Sequence, residues 1–180
     1  MLENAKHPRA LIGLCVIMVV AIVAVAAVEA NGGFVTAQGN PVSEVQTDFS
    51  NHLSTINSMN VSAIEAAYSS DAKVQFTDKY ETINYTGLKG VGIAYGADVF
   101  TNFAVPKFSD INSTVNVEGK QATVESTFII YGFDSEGGPQ SARVTAYLDY
   151  GLNNGNWLIS FESWNLVFAP GQSIYNGDGE

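Results

Sequence analysis

Four side chains combine a titratable group with a place in an ordered element: His52, Asp78, Tyr147 and Glu162. His52 lies beside an apolar stripe, between Phe49 and Leu53 and one turn from Ile56. An imidazole there is either a hydrogen-bond donor or pH-sensitive base facing a pocket, or a boundary residue bonded to backbone or water. Asp78 has the same strand parity as Phe76, so it either reaches a pocket mouth or stays solvated beside Lys79. Tyr147 shares a strand face with Arg143, Thr145 and Asp149. Glu162 shares one with Leu158, Ser160 and Trp164. A buried Glu would have a raised pKa and act as an acid, whereas an exposed one is only a solvated charge. Alternation alone does not choose between the two faces of a sheet.

Composition narrows the chemistry. Two His and one Cys leave no multi-His centre, no intrachain disulfide and no Cys-rich zinc site. The carboxylates are scattered and lack the spacing of a calcium loop, so no metal is expected. Gly87, Gly90, Gly92 and Gly96 precede no Gly-Lys-Ser/Thr and fit no dinucleotide fingerprint, so no cofactor is expected either. A net charge of −10 argues against nucleic-acid partners, because a duplex demands a basic face to replace its counterions.

The elements that must hold these residues can be read in order. Ala10 to Val28 is a 19-residue run without a charge. As a helix it would span roughly 28 Å, about the hydrocarbon thickness of a bilayer. Lys6 and Arg9 precede it and Glu29 follows, so residues 1–9 are expected in the cytoplasm and the rest outside. The rival reading is a cleaved signal peptide, leaving a secreted domain. Residues 29–40 read as a linker, 41–168 as the domain and 169–180 as a flexible tail.

Asn40-Pro41 marks a helix start. Val42, Val45, Phe49, Leu53, Ile56 and Met59 then recur at steps of three and four, predicting an amphipathic helix of about 16–18 residues. Ser62 and Glu65 read as a capping box. That box predicts a second helix ended by Ser69-Ser70-Asp71. Strands are predicted at 72–77 and 82–86, and a third helix at 88–104, closed by Pro106. Four longer strands follow at 107–118, 121–134, 141–151 and 156–168, separated by hairpin turn signals that include Asn154-Gly155. The expectation is an α+β domain, with about three helices against a bent antiparallel sheet. Asn60, Asn84 and Asn112 open Asn-X-Ser/Thr triplets and are candidate glycosylation sites.

Four stretches carry a resemblance. Ile64-Glu65-Ala66-Ala67-Tyr68-Ser69-Ser70-Asp71-Ala72-Lys73-Val74 resembles a helix ending at Tyr before an Asp-Ala strand start. Tyr85 to Val91 resembles the glycine before a third helix. Asn116 to Val124 resembles a conserved hairpin, and Gly155-Asn156-Trp157-Leu158-Ile159 a closing Gly-X-Trp-X-Ile. Together, over residues 42–168, they resemble the SnoaL-like, nuclear transport factor 2-like superfamily. The resemblance implies a cone-shaped fold with a pocket at its open end and, in many members, pairing through the outer sheet face.

In ketosteroid isomerase-like members a carboxylate base sits on the first strand. Here that position aligns with Phe76, which takes no proton. The first-helix Tyr position falls near His52, and a later-strand donor position near Tyr147. By resemblance, the Trp164 side of the last strand lines the pocket, with Glu162 beside it, and the side carrying Trp157, Ile159 and Phe161 is free to pair with a second copy. The expected ligand-binding set is Phe49, His52, Phe76, Tyr95, Phe100, Tyr147, Glu162 and Trp164. The function expected is a membrane-tethered, noncatalytic module that binds a small apolar ligand or a protein. The alternatives are a general acid–base isomerase, lyase or hydrolase using His52, Asp78, Tyr147 and Glu162, and a structural subunit of a surface assembly.

Overall fold

The computed structural model describes residues 39–170 and residue 172. The expected membrane segment, its flanks and most of the expected tail lie outside the described residues. Among the described residues no helix is long and apolar enough to cross a membrane.

Helix α1 spans Pro41–Asn57, and its cap is as the sequence suggests: the Asn40 side chain accepts the Val42 N–H at 3.1 Å, with Pro41 next in line. Its buried face is Val45, Phe49, His52, Leu53 and Ile56. Helix α2 is only Val61–Glu65 and is capped by Asn60, whose side chain accepts the Ala63 N–H. Ser62 therefore lies inside the helix, and the expected capping box gives way to an Asn cap two residues earlier. Strand β1 follows at once, Tyr68–Thr77, so Ser69, Ser70 and Asp71 are strand residues rather than a turn. Pairing explains the difference. The Ile159 N–H donates to the Ala67 carbonyl at 2.9 Å, and Tyr68 registers with Ile159, so β6 draws this stretch into the sheet.

Strand β2 is Thr82–Thr86, as expected. The third helix arrives in three pieces: α3 Gly87–Ile93, a π-helical turn Ala94–Val99, and α4 Phe100–Asn102. Strands β3 (Ala104–Glu118), β4 (Gln121–Phe133), β5 (Pro139–Asn153) and β6 (Asn156–Phe168) complete the chain. Pro106 lies inside β3 rather than closing a helix. It is tolerated because β3 is an edge strand and its register with β4 slips between Ala104 and Lys107.

The sheet runs β2-β1-β6-β5-β4-β3. It is mixed rather than wholly antiparallel: β1 lies parallel to β6, and every other neighbouring pair is antiparallel. A bulge between Asp149 and Tyr150 in the β5–β6 register matters most. Ile159 and Phe161 face consecutive residues of β5, leaving Ser160 as the extra residue. The period-two alternation restarts there. Trp157 and Ile159 are buried before it, and Glu162, Trp164 and Leu166 after it. The expected free patch of Trp157, Ile159 and Phe161 therefore does not exist. Trp157 and Ile159 belong to the core, and Phe161 alone stands on the outer face, beside Tyr147.

Aromatic rings fill the core. Trp164 packs against Phe76, Phe128 and Tyr95 with ring centroids 5.3, 5.4 and 6.0 Å away. Edge-on geometry of this kind adds to the burial of large apolar faces.

Candidate functional site

Glu162 is wholly buried at the centre of the fold. The β6 bulge turns it inward, and four donors surround it. Trp164 Nε1 donates to Oε1 at 2.8 Å, and Tyr95 donates from its hydroxyl to Oε2 at 2.6 Å. The Tyr68 hydroxyl also donates to Oε2. His52 Nε2 lies 3.3 Å from Oε1. Each donor comes from a different part of the fold. His52 is brought by α1, Tyr68 by the first residue of β1, Tyr95 by the π-helical turn and Trp164 by β6 itself.

Hydrogen accounting fixes the histidine. Both phenols donate to the carboxylate, the Tyr68 hydroxyl also lies 3.1 Å from the Tyr95 oxygen, and His52 Nε2 lies 3.2 and 3.4 Å from the Tyr95 and Tyr68 oxygens. The proton between these groups therefore belongs to Nε2, and in the neutral ring Nδ1 carries the lone pair. Burial alone would push the Glu162 carboxyl up. The adjacent His52 and the hydrogen bonds from His52, Tyr68 and Tyr95 outweigh burial and hold it below its ordinary value, so it is a carboxylate. This reverses the sequence expectation that a buried Glu would be raised and act as an acid. For Tyr68 and Tyr95, burial and then the Glu162 charge push both phenols well above their ordinary range.

A groove of about 760 Å³ approaches this cluster between α1 and the β5–β6 hairpin. Its lining includes His52 and Tyr150, both almost completely buried. His52 Nδ1 and the Tyr150 hydroxyl have no hydrogen-bond partner. Nδ1 is an acceptor in the neutral ring and a donor in the imidazolium, the Tyr150 hydroxyl is an unused donor, and both residues line the same groove. Burial, with the Glu162 and Asp48 charges, pushes the Tyr150 phenol up, so it keeps its proton.

The other expected site residues fall elsewhere. Phe49, Phe76, Phe100 and Trp164 are core residues. The space left between Phe76, Phe103 and Trp164 is only about 10 Å³, so aromatic rings occupy the cone's interior where an apolar ligand was expected. Tyr147 and its companions Arg143 and Thr145 lie on the outer sheet face, away from Glu162. Asp78 closes a turn instead: its Oδ1 accepts the Tyr80 and Glu81 N–H groups at 2.8 and 2.9 Å. It borders a separate cavity of about 240 Å³ with Lys79 and Leu166. Asn60, Asn84 and Asn112 are exposed. Among the described residues no cluster of three or more His, Cys, Asp or Glu could hold a metal.

Sequence reasoning missed Tyr68 and Tyr150 as site residues. Tyr68 was readable only as a helix end, although a buried Tyr must find a partner for its hydroxyl. Tyr150 gave a weaker signal still, an aromatic at an inward position of a long strand.

The fold itself is known. No family model matches the sequence, and no curated protein matches it. Solved structures do. A ketosteroid isomerase-like protein from Erwinia carotovora atroseptica superposes with a TM-score of 0.61 at 15% identity, over 74% of this chain and 100% of that one. A calcium/calmodulin-dependent protein kinase II association domain from Xanthomonas campestris gives 0.60 at 15%, over 79% and 97%. A hexachlorocyclohexane dehydrochlorinase from Novosphingobium barchaimii gives 0.54 at 16%, over 74% and 93%. The described domain has the nuclear transport factor 2-like, cystatin-like fold, which serves enzymes and nonenzymes alike.

Proposed function

We propose that this is a small-molecule enzyme domain of the proton-transfer type, tethered outside the cytoplasm by the apolar run at residues 10–28. The observation that carries the reading is the unpartnered Nδ1 of His52 at a groove, with the opposite nitrogen held by a buried carboxylate. A general base needs a lone pair facing substrate and a fixed tautomer behind it. Glu162 is the positioning residue: it orients the ring and stabilises the imidazolium that forms when Nδ1 takes a proton. Tyr150 supplies a hydroxyl to an oxygen that gains charge in the same groove.

The reaction class is proton abstraction beside a carbonyl. His52 Nδ1 removes a proton from carbon, the C–H electron pair moves into the enolate, and the carbonyl oxygen takes the negative charge next to Tyr150. The proton then returns to carbon. Fold neighbours that include an isomerase-like protein and a dehydrochlorinase are compatible with this class.

The test is solvent deuterium. Full-length protein in nanodiscs is incubated in D₂O with small ketones, and deuterium entry at carbon is followed by mass spectrometry. The expected result is incorporation by the wild type and loss in His52→Gln. Wild-type incorporation no faster than that of His52→Gln would overturn the reading.

The noncatalytic alternative keeps one specific support, the close aromatic packing around Phe76, where the space beside Phe103 and Trp164 is only about 10 Å³. In that case the groove binds a ligand without turning it over.

A further inference from the structure

The groove has a sign as well as a shape. Its charged lining residues are Glu44 and Asp48, one helical turn apart on α1, and no Lys or Arg lines it. The rest of the lining is hydroxyls, amides, the small and aliphatic residues Ala66, Ala67, Leu158 and Ile159, and the Trp157 edge, whose Nε1 lies 3.4 Å from Glu44 Oε2. Two carboxylates alone would be a solvated helix face. The second observation is independent of them. His52 and Tyr150, only 3% and 1% exposed, both line the groove, and each has a buried polar atom without a partner. A buried donor and a buried acceptor left unused are costly unless a ligand pairs with them.

From this arrangement we infer that the groove takes a small cationic carbonyl compound, an amine-bearing ketone or aldehyde. Its ammonium lies toward Asp48 and Glu44, its carbonyl oxygen accepts from Tyr150, and its acidic C–H faces His52 Nδ1. Asp48 fits this role, since partial burial and then the Glu44 charge hold its carboxyl above the ordinary value. A bound cation relieves both effects at once. Neutral ketones bring no charge to the two carboxylates, and anionic ones are repelled. The inference rests on the proton-transfer reading for its chemistry but not for its charge selection.

Three ketones of similar size separate the charges: aminoacetone, hydroxyacetone and pyruvate. Saturation-transfer NMR with full-length protein in nanodiscs gives their relative affinities. Aminoacetone is expected to bind about tenfold more tightly than hydroxyacetone, the equivalent of one partly screened charge pair. Pyruvate is expected to bind more weakly than either. The preference should shrink at about 0.3 M salt and collapse in Glu44→Gln/Asp48→Asn. These two side chains are exposed or half-buried, so the double variant is expected to fold; its circular dichroism and melting curve verify this. Equal binding of the neutral ketone, or a preference that survives the double variant, overturns the inference. Aminoacetone selection without deuterium entry would sink the catalytic reading and leave this one standing. Deuterium entry into all three ketones at similar rates would do the reverse.

Discussion

Glu162 shows how much of a site depends on one residue being fully satisfied. Four donors meet its two oxygens, so the charge is tolerable in the core. Replacing it by Leu takes the acceptor from the Trp164 N–H and leaves Tyr68, Tyr95 and His52 only one another as partners. Chemical denaturation should report a loss of about 3–5 kcal/mol, the range for breaking a buried charged pair. The same carboxylate sets an acid limit. Its folded pKa lies below the ordinary 4.5, so the unfolded chain binds the proton more readily. Its stabilisation is therefore complete above about pH 4.5 and is lost as pH falls through the folded value. A melting-temperature series over acidic pH should show a steeper fall for the wild type than for Glu162→Gln. The phenols act at the other end. Tyr68 and Tyr95 are raised above 10, so their contribution is present below that pH and disappears as pH climbs through their folded values.

Elements decide whether these residues meet. The β6 bulge at Ser160 lets Ile159 and Glu162 face the same interior, although their spacing of three would put them on opposite sides of a regular strand. Deleting Ser160 leaves Ile159 and Glu162 two positions apart, so Trp157, Ile159, Glu162 and Trp164 stay on one face of a regular strand. A retained cooperative melting transition is the expected outcome, read by near-ultraviolet circular dichroism. The π-helical turn does similar work for Tyr95, since a wider turn changes the direction in which a side chain leaves its helix. Gly132 is a third such element feature. A Cβ there would come within 2.6 Å of the Ala104 carbonyl oxygen and 3.0 Å of the Phe103 carbonyl carbon. Gly132→Ala should cost about 1–3 kcal/mol in urea unfolding, because backbone, not a flexible side chain, must give way.

At the scale of the domain, aromatic rings pack closely around Phe76. Phe76 stands at the position that aligns with a catalytic carboxylate, and its ring packs against Tyr95 and Trp164. Restoring an acid there should not create an isomerase. Phe76→Asp places a charge among rings with about 10 Å³ of free space, and a large drop in thermal stability without deuterium incorporation above the wild type is expected. The proposed groove lies instead where polar residues of α1 meet the β5–β6 hairpin. Trp157 is buried within the domain, so it would take no part in pairing through the outer sheet face.

The sequence by itself determined the elements and their order. The stripe from Val42 to Ile56 specified α1, and turn chemistry at Gly119, Asn154 and Gly155, all at positive φ, separated the long strands. His52 and Glu162 were legible as candidates because a titratable group beside an apolar run is informative wherever it falls. Which face Glu162 took was not legible. Alternation fixes relative orientation only until a bulge interrupts it, and the bulge at Ser160 arises from pairing with β5 on one side and β1 on the other. The same pairing made Tyr68 a strand residue instead of a helix end. Only the tertiary structure could bring together a helix, a π turn and two strands around one carboxylate, because those contacts join residues as far apart as His52 and Glu162.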